Sequence, residues 1–176
     1  MAKTGFAHEM LKPFLVLVVI CVVAAALLGV THGVTEPIIE EMNEQRALAT
    51  RQAVLPGAED FTEVDCDTES LGILSAYKET NGLGYVISAS SKGYGGDVTV
   101  TMGLDSYGNF TGISANVTSE TQGVGSKVGE RTILDRFTGV SGNANDVTLR
   151  SGATYTSNAV RSSVNAAFEA VAAVIG

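Results

Sequence analysis

Tryptophan is absent from the 176-residue chain, and aromatic residues make up only 6% of it. That leaves no set of rings for stacking nucleic-acid bases. Positive charge is also scarce: 11 Lys and Arg face 19 Asp and Glu, for a net charge of -8. No basic stripe occurs, so nucleic acid is excluded as a partner. The two cysteines, Cys21 and Cys66, are too few for a disulfide framework and have neither CxxC nor zinc spacing. They read as one thiol inside an apolar run and one in an acidic loop. His8 and His32 stand apart from other ligand-type residues, so no metal site and no Ser-His-Asp arrangement can be built around them.

Charge is missing altogether from one stretch. Phe14 to Val34 runs for 21 residues without a formal charge, and a helix needs about 20 to cross a hydrocarbon core. We read residues 13–34 as a retained transmembrane helix, because Leu27 to Val30 continue the apolar run past the small residues Ala24 to Ala26 that a signal peptidase would favour. Lys3 and Lys12 precede this run, and Glu36, Glu40, Glu41 and Glu44 follow it. The positive-inside rule then leaves residues 1–12 in the cytoplasm and the rest of the chain outside. The part beyond residue 35 holds 9 Lys/Arg against 18 Asp/Glu.

Residues 36–54 have the features of a separate helix, with Pro37 in its first turn, early acids, late arginines and Pro56-Gly57 as its stop. An acidic connector follows, so residues 35–70 form a helical and irregular link to a domain at 71–176. Two β-rich runs flank Asn81-Gly82 and predict a hairpin. Asp97 to Leu104 alternates strictly, and Phe110 to Val117 predicts a further strand. Residues 127–138 suggest a short helix and Asp146 to Leu149 a last strand. A final helix from about Ser157 to Val174 carries the stripe Val160, Val164, Ala167, Phe168 and Val171. The fold class is α+β, an antiparallel sheet with helices packed on one side.

Three segments invite a chemical reading. Gly93-Tyr94-Gly95-Gly96 opens a strand. Gly123 to Gly129 is glycine-rich but has neither the GxGxxG nor the GxxxxGK[ST] spacing, and no βαβ unit surrounds it. Ser151-Gly152-Ala153-Thr154-Tyr155-Thr156-Ser157 places hydroxyls beside two very small residues at a helix start, where Ser and Thr are also ordinary caps.

The single anchor, the α+β outer domain, the Gly93 to Gly96 run, Ser119-Glu120-Thr121-Gln122-Gly123-Val124-Gly125 and Ser151-Gly152-Ala153-Thr154 together resemble the FMN-binding domain family. Within it the chain is most similar to the G component of Rnf electron-transport complexes, and next to the C component of the Na+-translocating NADH:quinone reductase. The family's loop commonly has proline where this chain has Gln122. The resemblance implies FMN joined by a phosphoester to Thr154, with Thr156 as the fallback, and attachment by a separate flavin transferase. It also implies a flavin site made from Ser151, Gly152, Ala153, Tyr155, Glu120, Thr121, Gly123, Val124, Gly125, Tyr94 and Gly95. No catalytic acid, base or nucleophile is implied. The expected role is an electron relay in a ferredoxin:NAD+ oxidoreductase of a prokaryotic cell membrane, among integral-membrane and iron–sulfur subunits, coupled to Na+ or H+ transport. The alternatives are a quinone-reductase subunit, an extracellular flavin carrier, or a structural or binding domain without a redox group.

Overall fold

The computed structural model describes residues 4–65 and 72–175. Contacts divide the chain into two compact units, Met1–Arg46 and Ala47–Gly176. Helix α1 spans Thr4–Val54. It is one helix where the sequence suggested two, because Pro13 and Pro37 each forfeit a ladder bond but no turn residues follow either of them. The helix stops at Val54, just before Pro56 and a Gly57 with φ +89°. Its apolar stretch has a mean hydropathy of 3.0 over the best 18-residue window, and none of that window is buried. It is long and apolar enough to cross a membrane. Cys21 is exposed on this helix, whereas Cys66 lies outside the described residues.

The second unit is built on a five-stranded antiparallel meander: β1 (Phe61–Glu63), β2 (Ile73–Glu79), β3 (Gly84–Lys92), β4 (Asp97–Asp105) and β5 (Phe110–Asn116), in that order. The hairpin at Asn81-Gly82 forms as expected, and β1 is an addition within the connector. Glu79, fully buried, accepts from the Leu83 amide at 3.0 Å and from Asn81 Nδ2 at 2.9 Å across that turn. Alternation decides which face is apolar. Val98, Val100, Met102 and Leu104 of β4 are buried with Ile87 and Ala89 of β3. Over them lies the long C-terminal helix, which packs mainly on β3 and β4. Its stripe of Val160, Val164, Ala167, Phe168 and Val171 is buried as the spacing predicted.

Between β5 and that helix the chain is irregular. The expected helix at 127–138 is three short pieces: 3₁₀ turns at Gly125–Gly129 and Asp135–Phe137, around α2 (Arg131–Leu134). Val128, Leu134 and Phe137 insert into the core from it. Residues 146–149 form no strand. Leu149 is buried, but the neighbouring carbonyls are satisfied by a side chain, since Arg136 Nη1 donates to Thr148 O at 2.7 Å and to Leu149 O at 2.6 Å. The last helix, α3, begins earlier than expected and spans Thr154–Ile175.

Helices are not confined to one side of the sheet. Val54 and Leu55, at the end of α1, pack with Ala58 and Val86 on the face opposite α3. The cause is a pair of glycines. Gly103 and Gly112 are direct cross-strand partners, and a Cβ on Gly112 would lie 2.7 Å from the Val54 carbonyl oxygen. Thr111 Oγ1 donates to that same carbonyl at 2.7 Å. A Cβ on Gly103 would collide with Val54 O and stand 2.6 Å from its carbonyl carbon. Gly103→Ala is therefore expected to destabilise the second unit by about 1–3 kcal/mol, read as a lowered unfolding midpoint of the full chain in detergent; an unchanged midpoint would show that the helix end is free to move aside.

Candidate functional site

The site forms where three loops meet at the start of α3. The first helical bond runs from the Ser157 amide to the Ala153 carbonyl at 2.9 Å, so Ala153 occupies the cap position and Thr154 is the first helical residue. An alanine methyl accepts no hydrogen bond. Among the described residues no side-chain oxygen caps the Thr154, Tyr155 and Thr156 amides, groups that a Ser or Asp cap would normally serve. Gly152 makes the turn into the helix at φ +84°, with open space where a Cβ would stand.

The two threonines of the motif differ sharply. Thr154 is exposed. Thr156 is 1% exposed and its hydroxyl donates to Glu120 Oε2 at 2.6 Å. Glu120 is itself only 7% exposed. Its other oxygen, Oε1, accepts from the Tyr94 amide at 2.9 Å and the Gly95 amide at 3.1 Å. One carboxylate thus joins the 93–96 turn, the 119–125 loop and the first turn of α3. Burial alone would raise its pKa, but the hydrogen bonds from Thr156, Gly95 and Tyr94 outweigh burial and hold it below the usual glutamate range.

Tyr94, Glu120, Thr121, Val124, Gly125, Gly152, Ala153, Thr154, Tyr155 and Thr156 line one cavity of about 290 Å³. Three other residues named from the sequence stand beside it. Gly95 serves through its amide. Gly123 turns the loop at φ +80° and its amide donates to Ser126 Oγ at 2.9 Å. Ser151 is exposed in the turn before α3. The close fit around Glu120 depends on two glycines whose role the motifs alone do not signal, and Gly93 is not among the residues expected at the site. A Cβ on Gly93 would strike Glu120 Oε1, and one on Gly125 would stand 2.7 Å from Glu120 Oε2 and 2.8 Å from Thr156 Oγ1. Ser119 is a further addition. It ties the loop to β4 by donating to Asp97 O at 2.9 Å.

A family model described as the FMN-binding domain matches residues 93–169, which contain all three loops. The G component of the Na+-translocating ferredoxin:NAD+ oxidoreductase complex of Acetobacterium woodii is 36% identical over 179 residues, with 86% of either chain covered. The chain belongs to the FMN-binding family of Rnf-type G components. Further members of that family are similar along most of their length. The G component of the ion-translocating oxidoreductase complex of Methanosarcina acetivorans is 28% identical over 185 residues, covering 97% of this chain and 98% of the relative. The G component of the proton-translocating ferredoxin:NAD+ oxidoreductase complex of Clostridium ljungdahlii is 24% identical over 170 residues, covering 91% and 90%.

The residues present suit the nucleotide that this family binds. Uncapped amides at the start of a 22-residue helix favour an anion such as the phosphate. The neighbouring aromatic side chains of Tyr94 and Tyr155 suit a flat ring.

Glu120→Gln keeps the shape and removes the charge. The amide oxygen takes the two backbone donors, and the Thr156 hydroxyl rotates to accept from the new NH2 group. The expected cost at neutral pH is about 1–2 kcal/mol of unfolding free energy. Folded Glu120 binds its proton less readily than the unfolded chain does, so its stabilising contribution is complete above the unfolded pKa and is lost as pH falls through the lowered folded value. Glu79, whose pKa is lowered chiefly by the Leu83 amide, and Asp105, chiefly by the Asn109 side chain, add the same trend to both proteins. The gap in unfolding midpoint between wild type and variant should therefore narrow on acidification, and a gap independent of pH would contradict the assigned charge.

Proposed function

We propose that this chain is the electron-relay flavoprotein subunit of a membrane ferredoxin:NAD+ oxidoreductase complex of the Rnf type, carrying FMN as a phosphoester on Thr154. The observation that carries the reading is the exposed Thr154 hydroxyl at the uncapped start of α3, beside the 290 Å³ cavity. In the attachment step an activated flavin nucleotide on a flavin transferase donates the FMN phosphoryl group. A bond forms between Thr154 Oγ1 and phosphorus, the bond to the donor's leaving group breaks, and the hydroxyl proton departs with that group. Gly152 and Ala153 leave the approach clear. The remaining negative charge then lies against the free amides and the positive end of the helix dipole.

Bound FMN supplies reversible one- and two-electron chemistry, and the protein supplies position. Glu120 holds the loops in register, and the 119–125 loop lines the cavity beside Thr154. None of these residues is needed as an acid or base in turnover. The charge asymmetry about the apolar helix supports a cytoplasmic N-terminus and an extracytoplasmic FMN-binding domain. In that compartment a covalent link prevents loss of the flavin. Integral-membrane and iron–sulfur subunits are the expected donors and acceptors, and the coupled ion is Na+ or H+.

The test is ultraviolet fluorescence of the full-length protein on a denaturing gel after expression with a flavin transferase, with peptide mass spectrometry of the band. Wild type and Thr156→Ala should fluoresce, and Thr154→Ala should be dark. Fluorescence that survives in Thr154→Ala but is lost in Thr156→Ala would reverse the assignment. A dark wild-type band would leave an outer domain without a covalent redox group.

A further inference from the structure

Tyr94 and Tyr155 are 73% and 67% exposed, although each sits on the wall of a cavity. Tyr94 comes from the turn between β3 and β4, where Glu120 holds its amide. Tyr155 is the second residue of α3, directly after Thr154. Their ring centroids are 6.0 Å apart and their planes are inclined at 46°. At that separation the two rings are already an aromatic pair. A third ring inserted between them would need parallel planes about 7 Å apart, two stacking distances, so no flat ligand fits between them as the pair stands. Two large aromatic surfaces are left facing outward beside an attachment point.

We infer that Tyr94 and Tyr155 together form a one-sided aromatic platform for the isoalloxazine ring of FMN, which stacks on one of the two inclined rings and meets the other obliquely, leaving the opposite ring face for exchange with the electron-transfer partner. This inference rests on the reading of Thr154 as the attachment residue. It adds a role that attachment does not require, because a flavin tethered at Thr154 could equally extend into solvent. Three observations support it. Exposed aromatic area of this size favours cover by an apolar surface. The pair spans two of the three loops that Glu120 ties together, so its geometry is fixed by the same buried carboxylate. Val124, also exposed, extends the apolar surface on the loop side of the same cavity.

The platform has an optical signature. A phenol ring in contact with a photoexcited flavin gives up an electron and takes it back, which quenches emission with no net chemistry. A phenyl ring stacks equally well but is a much poorer donor. The experiment compares the native full-length flavoprotein with Tyr94→Phe, Tyr155→Phe and the double variant, with flavin loading measured for each by peptide mass and by absorbance. With emission taken per bound flavin, the expected result is weak emission from the native wild type and a several-fold rise in the double variant. In denaturant all four proteins should emit alike. Unchanged native emission per bound flavin in the double variant would overturn the platform while leaving the attachment intact. An unmodified Thr154 peptide in the wild type would instead overturn the reading beneath it.

Discussion

A single buried carboxylate holds the site together. Glu120 takes two amide donors from the 93–96 turn and one hydroxyl donor from α3, and its own loop supplies the backbone. Left unpaired, a carboxylate with so little exposure would be costly to bury. Satisfied by three donors, it becomes the point where segments separated by 25 to 36 positions in sequence are brought together. The glycines at 93 and 125 belong to the same constraint, since side chains there would occupy the space the carboxylate fills. Because Thr156 is committed to this contact, the hydroxyls of a repeated Thr-x-Thr pattern divide into one that builds the site and one that faces outward.

Membership of the FMN-binding family gives this geometry its meaning. Caps are among the most common uses of Ser and Thr at a helix start, and that account competes with any functional reading of Ser151 to Ser157. Here the cap position is held by Ala153, which cannot serve it, so the helix start keeps its amides free and its positive end open. A helix built for stability alone would have gained by placing the hydroxyl one residue earlier.

Much of this was legible in the chain itself. The apolar run from Phe14 to Val34, the strict alternation of β4 and the stripe of α3 follow from periodicities of one, two and 3.6 residues, which local sequence carries directly. The segment from 117 to 153 was less legible, because its order comes from single long-range contacts. Arg136 satisfies the carbonyls near Leu149, and Asn165 accepts from the Ala144 amide at 2.7 Å. Neither contact leaves a periodic trace. The seat of the α1 end was hidden for a similar reason. Gly103 and Gly112 read as ordinary strand glycines until the register sets them opposite each other under Val54. The convergence of the three segments on one cavity was legible only through motif resemblance, and the inward aim of Glu120 was not legible at all.

That glycine pair has a practical consequence for anyone who wishes to study the second unit without the apolar helix. The strands begin only at Phe61, so a fragment starting between Pro56 and Phe61 looks like a tidy choice. Such a fragment would strip Val54 and Leu55 from the underside of the sheet, leaving the Thr111 hydroxyl without its acceptor and Val86 facing water. A fragment that keeps the second unit whole has to start at or before Ala47, taking with it a stub of the helix that otherwise continues into the apolar run.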